Sequence, residues 1–138
     1  MKKKSSLVLD SFALLLVFLD QPGYERILNM IQDAAAGRLT LYLSSINLGE
    51  ILYQVERRKG EDRAVTTLAY IDNMPIIQLP ATRERVIFAA RIKARYPVSY
   101  ADAFAVAAAQ EFECPVVTGD SEFKRVAHLV ELLWLGGD

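Results

Sequence analysis

The chain has 138 residues, of which 52% are hydrophobic and 24% are charged, and its formal net charge is −1. This length and apolar content are typical of one globular domain with a buried core, so we expect a single domain over residues 1–138 and exclude a disordered chain. The near-zero net charge excludes a global attraction to nucleic acid or membranes, so any nucleic-acid contact must come from a local basic patch.

Short apolar runs alternate with amphipathic runs in the first half of the chain. The apolar runs have the length of strands buried in a parallel sheet, and the amphipathic runs repeat with the helical period. The predicted strands cover residues 6–9 and 39–43. The predicted helices cover residues 12–19, 24–36, with Tyr24, Ile27, Leu28 and Ile31 on the apolar face, and 46–59.

The second half continues the alternation. Ser99 is a favourable N-cap for an Ala-rich helix that contains Asp102 in its first turn. The predicted helices cover 63–73, 82–95 and 99–110, and one helical turn covers 122–126. In the helix over 82–95 we expect Val86, Ile87, Ala90 and Ala94 to be buried. The predicted strands cover 75–79, 116–118 and 128–135. Alternating strands and helices predict an α/β fold with a mostly parallel sheet of about five strands, covered on both faces.

The N-terminus resembles a signal peptide, because Lys2, Lys3 and Lys4 precede an apolar run over 7–19. Asp10 interrupts that run, no small-residue cleavage site follows it, and it is too short to span a bilayer. A buried strand and helix are therefore favoured, and we expect no membrane partner. The single cysteine fits a reducing cytoplasm.

Four carboxylates stand where predicted strands end or predicted helices begin. They are Asp10, Glu50, Asp102 and Asp120, and Glu122 is a possible fifth. Because right-handed crossovers bring strand ends and helix starts to one edge of a parallel sheet, we expect these acids to converge.

Converging carboxylates need a compensating charge. Two of them ~5 Å apart repel by about 3 kcal/mol at an effective dielectric of ~20. Oxygen-only ligands suit Mg²⁺ or Mn²⁺, and carboxylate-bound Mg²⁺ supports phosphoryl transfer. Each acid also has a structural explanation: Asp102 fits a capping box with Ser99, Glu50 fits one with Asn47, and the other two could cap a helix or start a turn. Caps explain the acids singly but not their convergence.

Four short motifs in one order make the chain resemble the PIN domains, and among them the VapC-type ribonuclease toxins. The motifs are VLDS at 8–11, NLGEI at 47–51, SYADA at 99–103 and VTGDSEF at 117–123. The resemblance implies a three-layer α/β/α fold and a metal-dependent endoribonuclease that hydrolyses RNA phosphodiester bonds. It also implies a homodimer and an antitoxin partner that covers the active site.

The same resemblance implies roles for individual residues. Asp10, Glu50, Asp102 and Asp120 would form the acidic set around Mg²⁺. Ser11 and Thr118 stand where the family has hydroxyl residues near that set. Glu122 stands where the family often has Asp.

Two other functions stay open from the residues alone. The chain could be a phosphatase or phosphotransfer domain that uses Asp10 as nucleophile, for which Lys124 is the available positioned lysine. It could also be a non-catalytic α/β binding module. For either class of protein, we expect Leu52, Tyr53 and Tyr70 to be exposed anchors of a groove that takes a second copy of the chain or an antitoxin helix.

Overall fold

The computed structural model describes residues 5–135 and consists of one sheet with helices on both faces. Its strands are β1 (Ser5–Leu9), β2 (Leu39–Ser44), β3 (Ile76–Leu79), β4 (Val116–Thr118) and β5 (Leu132–Trp134). Its α-helices are α1 (Ser11–Phe18), α2 (Tyr24–Ala35), α3 (Ser45–Lys59), α4 (Glu61–Asp72), α5 (Arg83–Arg95) and α6 (Tyr100–Phe112), and a 3-10 helix covers Ser121–Val126.

All strand pairs are parallel, and the order across the sheet is β3-β2-β1-β4-β5. The chain therefore leaves β1 in one direction to build β2 and β3, and then returns to the other side of β1 to build β4 and β5. Open parallel sheets bind their ligands at such a reversal, outside the carboxyl ends of the strands. In this fold the reversal lies between Leu9 and Thr118, so it places residue 10 beside residues 118–120.

The alternation of β1 divides the core into two layers. Leu7 and Leu9 pack with the apolar residues of α1 to α4, whereas Val8 packs with α5 and α6 on the opposite face. The predicted α/β/α sandwich and its five-stranded parallel sheet are thus confirmed. Within residues 5–135, none of the helices is long and apolar enough to cross a membrane.

The predicted buried face of α5 was wrong. Val86, Ile87, Ala90 and Ala94 are exposed, and Ile87 keeps 44% of its surface accessible. The helix packs chiefly on α6 through a narrow stripe that contains Ala89 and Ile92. The sequence of α5 contains two apolar stripes, the predicted one with Val86 and Ala90 and the observed one with Ala89 and Ile92. The second is buried because it packs against the small side chains of α6.

Two other local predictions need correction. In α2 only Ile27 is fully buried and Ile31 is half-buried, while Tyr24 and Leu28 are exposed, because one side of this helix contacts α1 and β2. The last strand is shorter than predicted and begins at Leu132. The preceding residues form a turn in which the Leu129 amide donates to the Val126 carbonyl at 2.9 Å.

Candidate metal centre

Asp10 lies at the end of β1 and caps α1. Its Oδ1 atom accepts a hydrogen bond from the Ala13 amide at 3.0 Å, and its Oδ2 atom accepts one from the Thr118 hydroxyl at 2.5 Å. Only 2% of its surface is exposed. The cap that the sequence suggested is therefore present, and it uses one oxygen of a fully buried carboxyl group.

The surroundings of Asp10 oppose its ionisation. Burial raises the pKa of Asp10 to about 8, and the charges of Asp102 and Asp120 add to that rise, although the hydrogen bonds from Thr118 and Ala13 oppose it. These two charges act on Asp10 because both acids lie near it. A cation at this position would offset the desolvation and hold the carboxylate ionised.

Asp102 lies in the first turn of α6. The Ser99 side chain caps this helix by accepting a hydrogen bond from the Asp102 amide at 3.1 Å, so the cap uses the backbone of Asp102. The Asp102 carboxylate is buried, and its Oδ2 atom has no hydrogen-bond partner. Burial raises the pKa of Asp102 to about 7, with further contributions from Asp120, Glu122 and Glu50, while the Ser99 side chain lowers it.

The segment after β4 brings in two more acids. The Asp120 amide donates to the Thr118 hydroxyl at 3.0 Å, and the Asp120 Oδ1 atom accepts from the Glu122 amide at 2.9 Å to begin the 3-10 helix. Gly119, which lies between Thr118 and Asp120 in the sequence, packs against the Phe12 ring. A Cβ atom added at Gly119 would stand 2.4 Å from Cε1 of Phe12. The Thr118 hydroxyl thus connects the ends of β1 and β4.

Among residues 5–135, Asp102, Asp120 and Glu122 form one acidic group whose nearest carboxylate oxygens all lie within 4.8 Å of one another. All three offer hard oxygen ligands, and the orphaned Oδ2 atom of buried Asp102 needs a donor or a cation. These properties fit Mg²⁺ or Mn²⁺ and do not fit a thiolate or imidazole site.

Glu50 lies in the second turn of α3, outside that group. Its charge contributes to the raised pKa of Asp102, and its Oε2 atom is 3.5 Å from the Tyr53 hydroxyl. The predicted capping box with Asn47 was wrong, because Ser44 caps α3 and Asn47 is inside the helix. The structure therefore removes the structural explanation for Glu50 and leaves it half-exposed beside the acidic group.

Asn47 is a site residue that the sequence interpretation missed. It is fully buried, and its side-chain amide contacts Ser11 and Ala101, which neighbour two of the acids. The signal in the sequence is its spacing, since Asn47, Ile51 and Val55 follow one another at four-residue intervals along the buried stripe of α3. A polar residue on such a stripe indicates a specific hydrogen-bonding role.

Four further side chains lie outside the acidic group of Asp102, Asp120 and Glu122. The Lys124 ammonium stands over the Trp134 ring, 4.9 Å from its centroid. His128 packs edge-on against Tyr96, and Cys114 is half-buried with its thiol pKa raised by burial. Tyr100 is exposed and packs edge-on against Phe104.

The family model of the PIN domain matches residues 7–129 of the chain. No curated protein sequence is significantly similar to it. Among solved structures, the toxin VapC20 of Mycobacterium tuberculosis, described as cleaving the sarcin–ricin loop, is similar in fold. Its TM-score is 0.71 at 18% identity, and the match covers 91% of this chain and 98% of that one.

Two DNA-bound complexes are also similar. The VapBC complex of Salmonella typhimurium gives a TM-score of 0.68 at 19% identity, with 88% of this chain and 92% of that chain covered. VapBC2 of Rickettsia felis, bound to a promoter fragment, gives 0.67 at 17% identity, with 91% and 96% covered. At these identities the likeness establishes the fold.

Proposed function

The chain belongs to the PIN domain family, and from this membership and its acidic centre we propose that it is a divalent-metal-dependent endoribonuclease acting as the toxin of a toxin–antitoxin pair. One observation carries the proposal. The carboxylates of Asp102, Asp120 and Glu122 converge beside buried Asp10, at the point where the sheet order reverses. Toxin–antitoxin complexes that contain a chain of the same fold support the toxin assignment.

This proposal assigns the acids at the sheet edge to the metal centre. Asp10, Asp102, Asp120 and Glu50 form the catalytic and metal-binding set, with Glu122 beside them. When bound, Mg²⁺ or Mn²⁺ would supply positive charge that acidifies a water molecule and stabilises phosphoryl oxygens.

The other groups orient this set. Thr118 holds Oδ2 of Asp10 in place and fixes the Asp120 amide, so both acids keep one orientation. Ser11 donates to the Asn47 carbonyl at 3.3 Å, which holds α1 against α3. Exposed Tyr100 begins the helix that contains Asp102, and its ring can stack on an unpaired RNA base.

The phosphotransfer alternative is less well supported. The ammonium of Lys124 stands over Trp134 instead of reaching a phosphate beside Asp10.

The decisive experiment compares cleavage of a circular RNA by the parent and by Asp10→Asn in Mg²⁺, Mn²⁺ and a chelator. We expect the parent to linearise the circle only with metal, and Asp10→Asn to remain folded but inactive, since Asn keeps the helix cap and removes the charge. Asp33→Asn is the matched control, because Asp33 is an exposed acid paired with Arg38 on α2. Normal cleavage by a folded Asp10→Asn variant would contradict the proposal.

The proposed partners are an antitoxin and a second copy of the chain, in the cytoplasm. Leu52 is half-buried, so the prediction that it is exposed was wrong. The helical layer of α3 and α4 does expose Tyr53, which is 48% accessible, and Tyr70, which is 61% accessible. An amphipathic helix from a partner would cover them. We expect the double variant Tyr53→Ser, Tyr70→Ser to bind the antitoxin helix more weakly in calorimetry. Ile77 is an exposed apolar residue on β3, and Ile77→Ser should bind the antitoxin helix as the parent does.

A further inference from the structure

The Asn47 side chain connects three segments of the chain. Its Nδ2 atom donates to the Ser11 hydroxyl at 3.3 Å and to the Ala101 carbonyl at 3.1 Å. The Ser11 hydroxyl in turn donates to the Asn47 carbonyl at 3.3 Å. Asn47 has no exposed surface, so these contacts are made inside the protein.

The segments that Asn47 connects are those that carry the acids. Ser11 follows Asp10 directly, and Ala101 precedes Asp102 directly. Asn47 itself lies one helical turn before Glu50 on α3. One amide group therefore sets the relative positions of the N-terminal ends of α1, α3 and α6.

Folding alone does not explain an amide here. The Oδ1 atom of Asn47 is buried without a hydrogen-bond partner, and such a group costs about 1–3 kcal/mol. The Ala101 carbonyl lies inside α6, where the amide four residues later serves as its helical partner. An apolar side chain of similar size would fill the same space without an orphaned acceptor.

We propose that Asn47 is a positioning residue for the metal centre, which holds Asp10 and Asp102 at the separation that a divalent cation requires. The inference rests on the proposed function. The carboxylates must be ionised to bind a cation, and their mutual repulsion in that state acts to separate α1 from α6. The two hydrogen bonds from Asn47 oppose that separation. Partners that orient ligands in this way typically change metal affinity or activity by roughly 10–100-fold when they are removed.

Asn47→Leu tests this role, because leucine keeps the branched shape and the number of side-chain heavy atoms and removes the hydrogen bonds. Thermal melts in a Mn²⁺ series give the metal midpoint, and RNA cleavage gives kcat and KM. We expect the metal-free melting temperature to stay at or above that of the parent and the metal midpoint to rise roughly 10–100-fold. We expect kcat to fall while KM stays unchanged, since a fully buried side chain does not touch RNA.

Two further variants complete the test. Ser11→Ala removes only the contact between Ser11 and Asn47, and it should also raise the Mn²⁺ midpoint. This variant serves as the test if Asn47→Leu does not fold. Asn73→Leu is the matched control, since this exposed amide donates to the Ala69 carbonyl at 2.8 Å at the end of α4, and its midpoint should equal the parent's.

The possible outcomes separate the two proposals. A folded Asn47→Leu variant with the parental midpoint and kcat would overturn the role of Asn47 and leave the nuclease proposal intact. If Asn47→Leu does not fold, a parental midpoint for Ser11→Ala would overturn it in the same way. A parent protein that Mn²⁺ does not stabilise would overturn the metal centre itself, and the positioning role with it.

Discussion

The Thr118 hydroxyl donates a 2.5 Å hydrogen bond to the Oδ2 atom of Asp10, across the junction where β1 and β4 run side by side. The Thr118 hydroxyl oxygen also accepts a hydrogen bond from the Asp120 amide at 3.0 Å. One hydroxyl group therefore connects an acid at the end of β1 with an acid after β4. This connection exists because the strand order reverses at this point, and it makes the orientation of the two acids interdependent.

Replacing Thr118 with valine tests that connection. Thr118→Val keeps the shape but removes the group that lowers the pKa of Asp10, so Asp10 should bind its proton more tightly and bind metal more weakly at neutral pH. The Asp120 amide also loses its partner, which costs about 1–3 kcal/mol. We expect a higher Mn²⁺ midpoint in thermal melts. Thr118→Ser retains the hydroxyl and should retain the parental midpoint, and equal midpoints for serine and valine would contradict the argument.

The metal-free protein should lose stability as the pH rises. The pKa of Asp10 is about 8 and that of Asp102 about 7 in the folded protein, both above the ordinary value of 3.8. A carboxyl group whose pKa is higher in the folded than in the unfolded protein contributes its full stabilisation below the unfolded pKa. This contribution is lost as the pH rises from the unfolded pKa through the folded pKa. Between its unfolded and folded pKa values, each group lowers the free energy of unfolding by up to about 1.4 kcal/mol per pH unit.

Thermal melts in chelator between pH 5 and pH 9 measure this effect. We expect the melting temperature to fall steadily, and Asp10→Asn to flatten part of the slope by removing one titrating group. Asp33→Asn should keep the parental slope, since Asp33 is exposed. A melting temperature that does not fall over this interval in the metal-free parent would contradict the raised pKa values of the two carboxyl groups.

Most elements of the fold could be predicted from local sequence. Strand β4 is a buried apolar run before a glycine, and Ser99 and Thr82 are N-caps whose side chains accept hydrogen bonds from amides in the first turn of their helices. These features depend on residues within one turn of each other. The family resemblance rested on the same kind of short, local motif.

The geometry between elements could not be read from local sequence. Glu122 joins Asp102 and Asp120 because the 3-10 helix turns its carboxylate toward α6, whereas Glu50 lies outside this group. The orientation of α5 depends on how closely its Ala89 approaches α6. Each of these outcomes is set by packing between segments far apart in the sequence, to which periodicity and capping patterns are insensitive.

Gly119 should tolerate no side chain while Phe12 is present. A Cβ atom at residue 119 would stand 2.4 Å from the Phe12 ring, so Gly119→Ala forces the ring or the β4 segment to move. Such overpacking typically costs about 1–3 kcal/mol. We expect a lower melting temperature and weaker metal binding, because Asp120 follows directly. Combining Gly119→Ala with Phe12→Leu should recover part of both losses, and strictly additive losses in the double variant would contradict the steric explanation.

The final prediction separates two acids of the same group. Asp102→Asn should abolish cleavage without destabilising the metal-free protein by more than about 1 kcal/mol, since the Ser99 cap uses the Asp102 backbone amide and the substitution relieves repulsion. Glu122 is half-buried on the short 3-10 helix, and its longer side chain can adjust. We therefore expect Glu122→Gln to lose activity by roughly 10–100-fold but to remain measurable.

Cleavage of one RNA at saturating Mg²⁺, alongside melts in chelator, compares both variants with the parent. The two measurements answer different questions, because a ligand to the cation affects cleavage whereas a cap affects the melting temperature. If Asp102→Asn cleaves RNA normally and melts well below the parent, then Asp102 stabilises α6 and is not a metal ligand. The acidic group would then lose its one fully buried member, and only the half-buried Asp120 and Glu122 would remain in it.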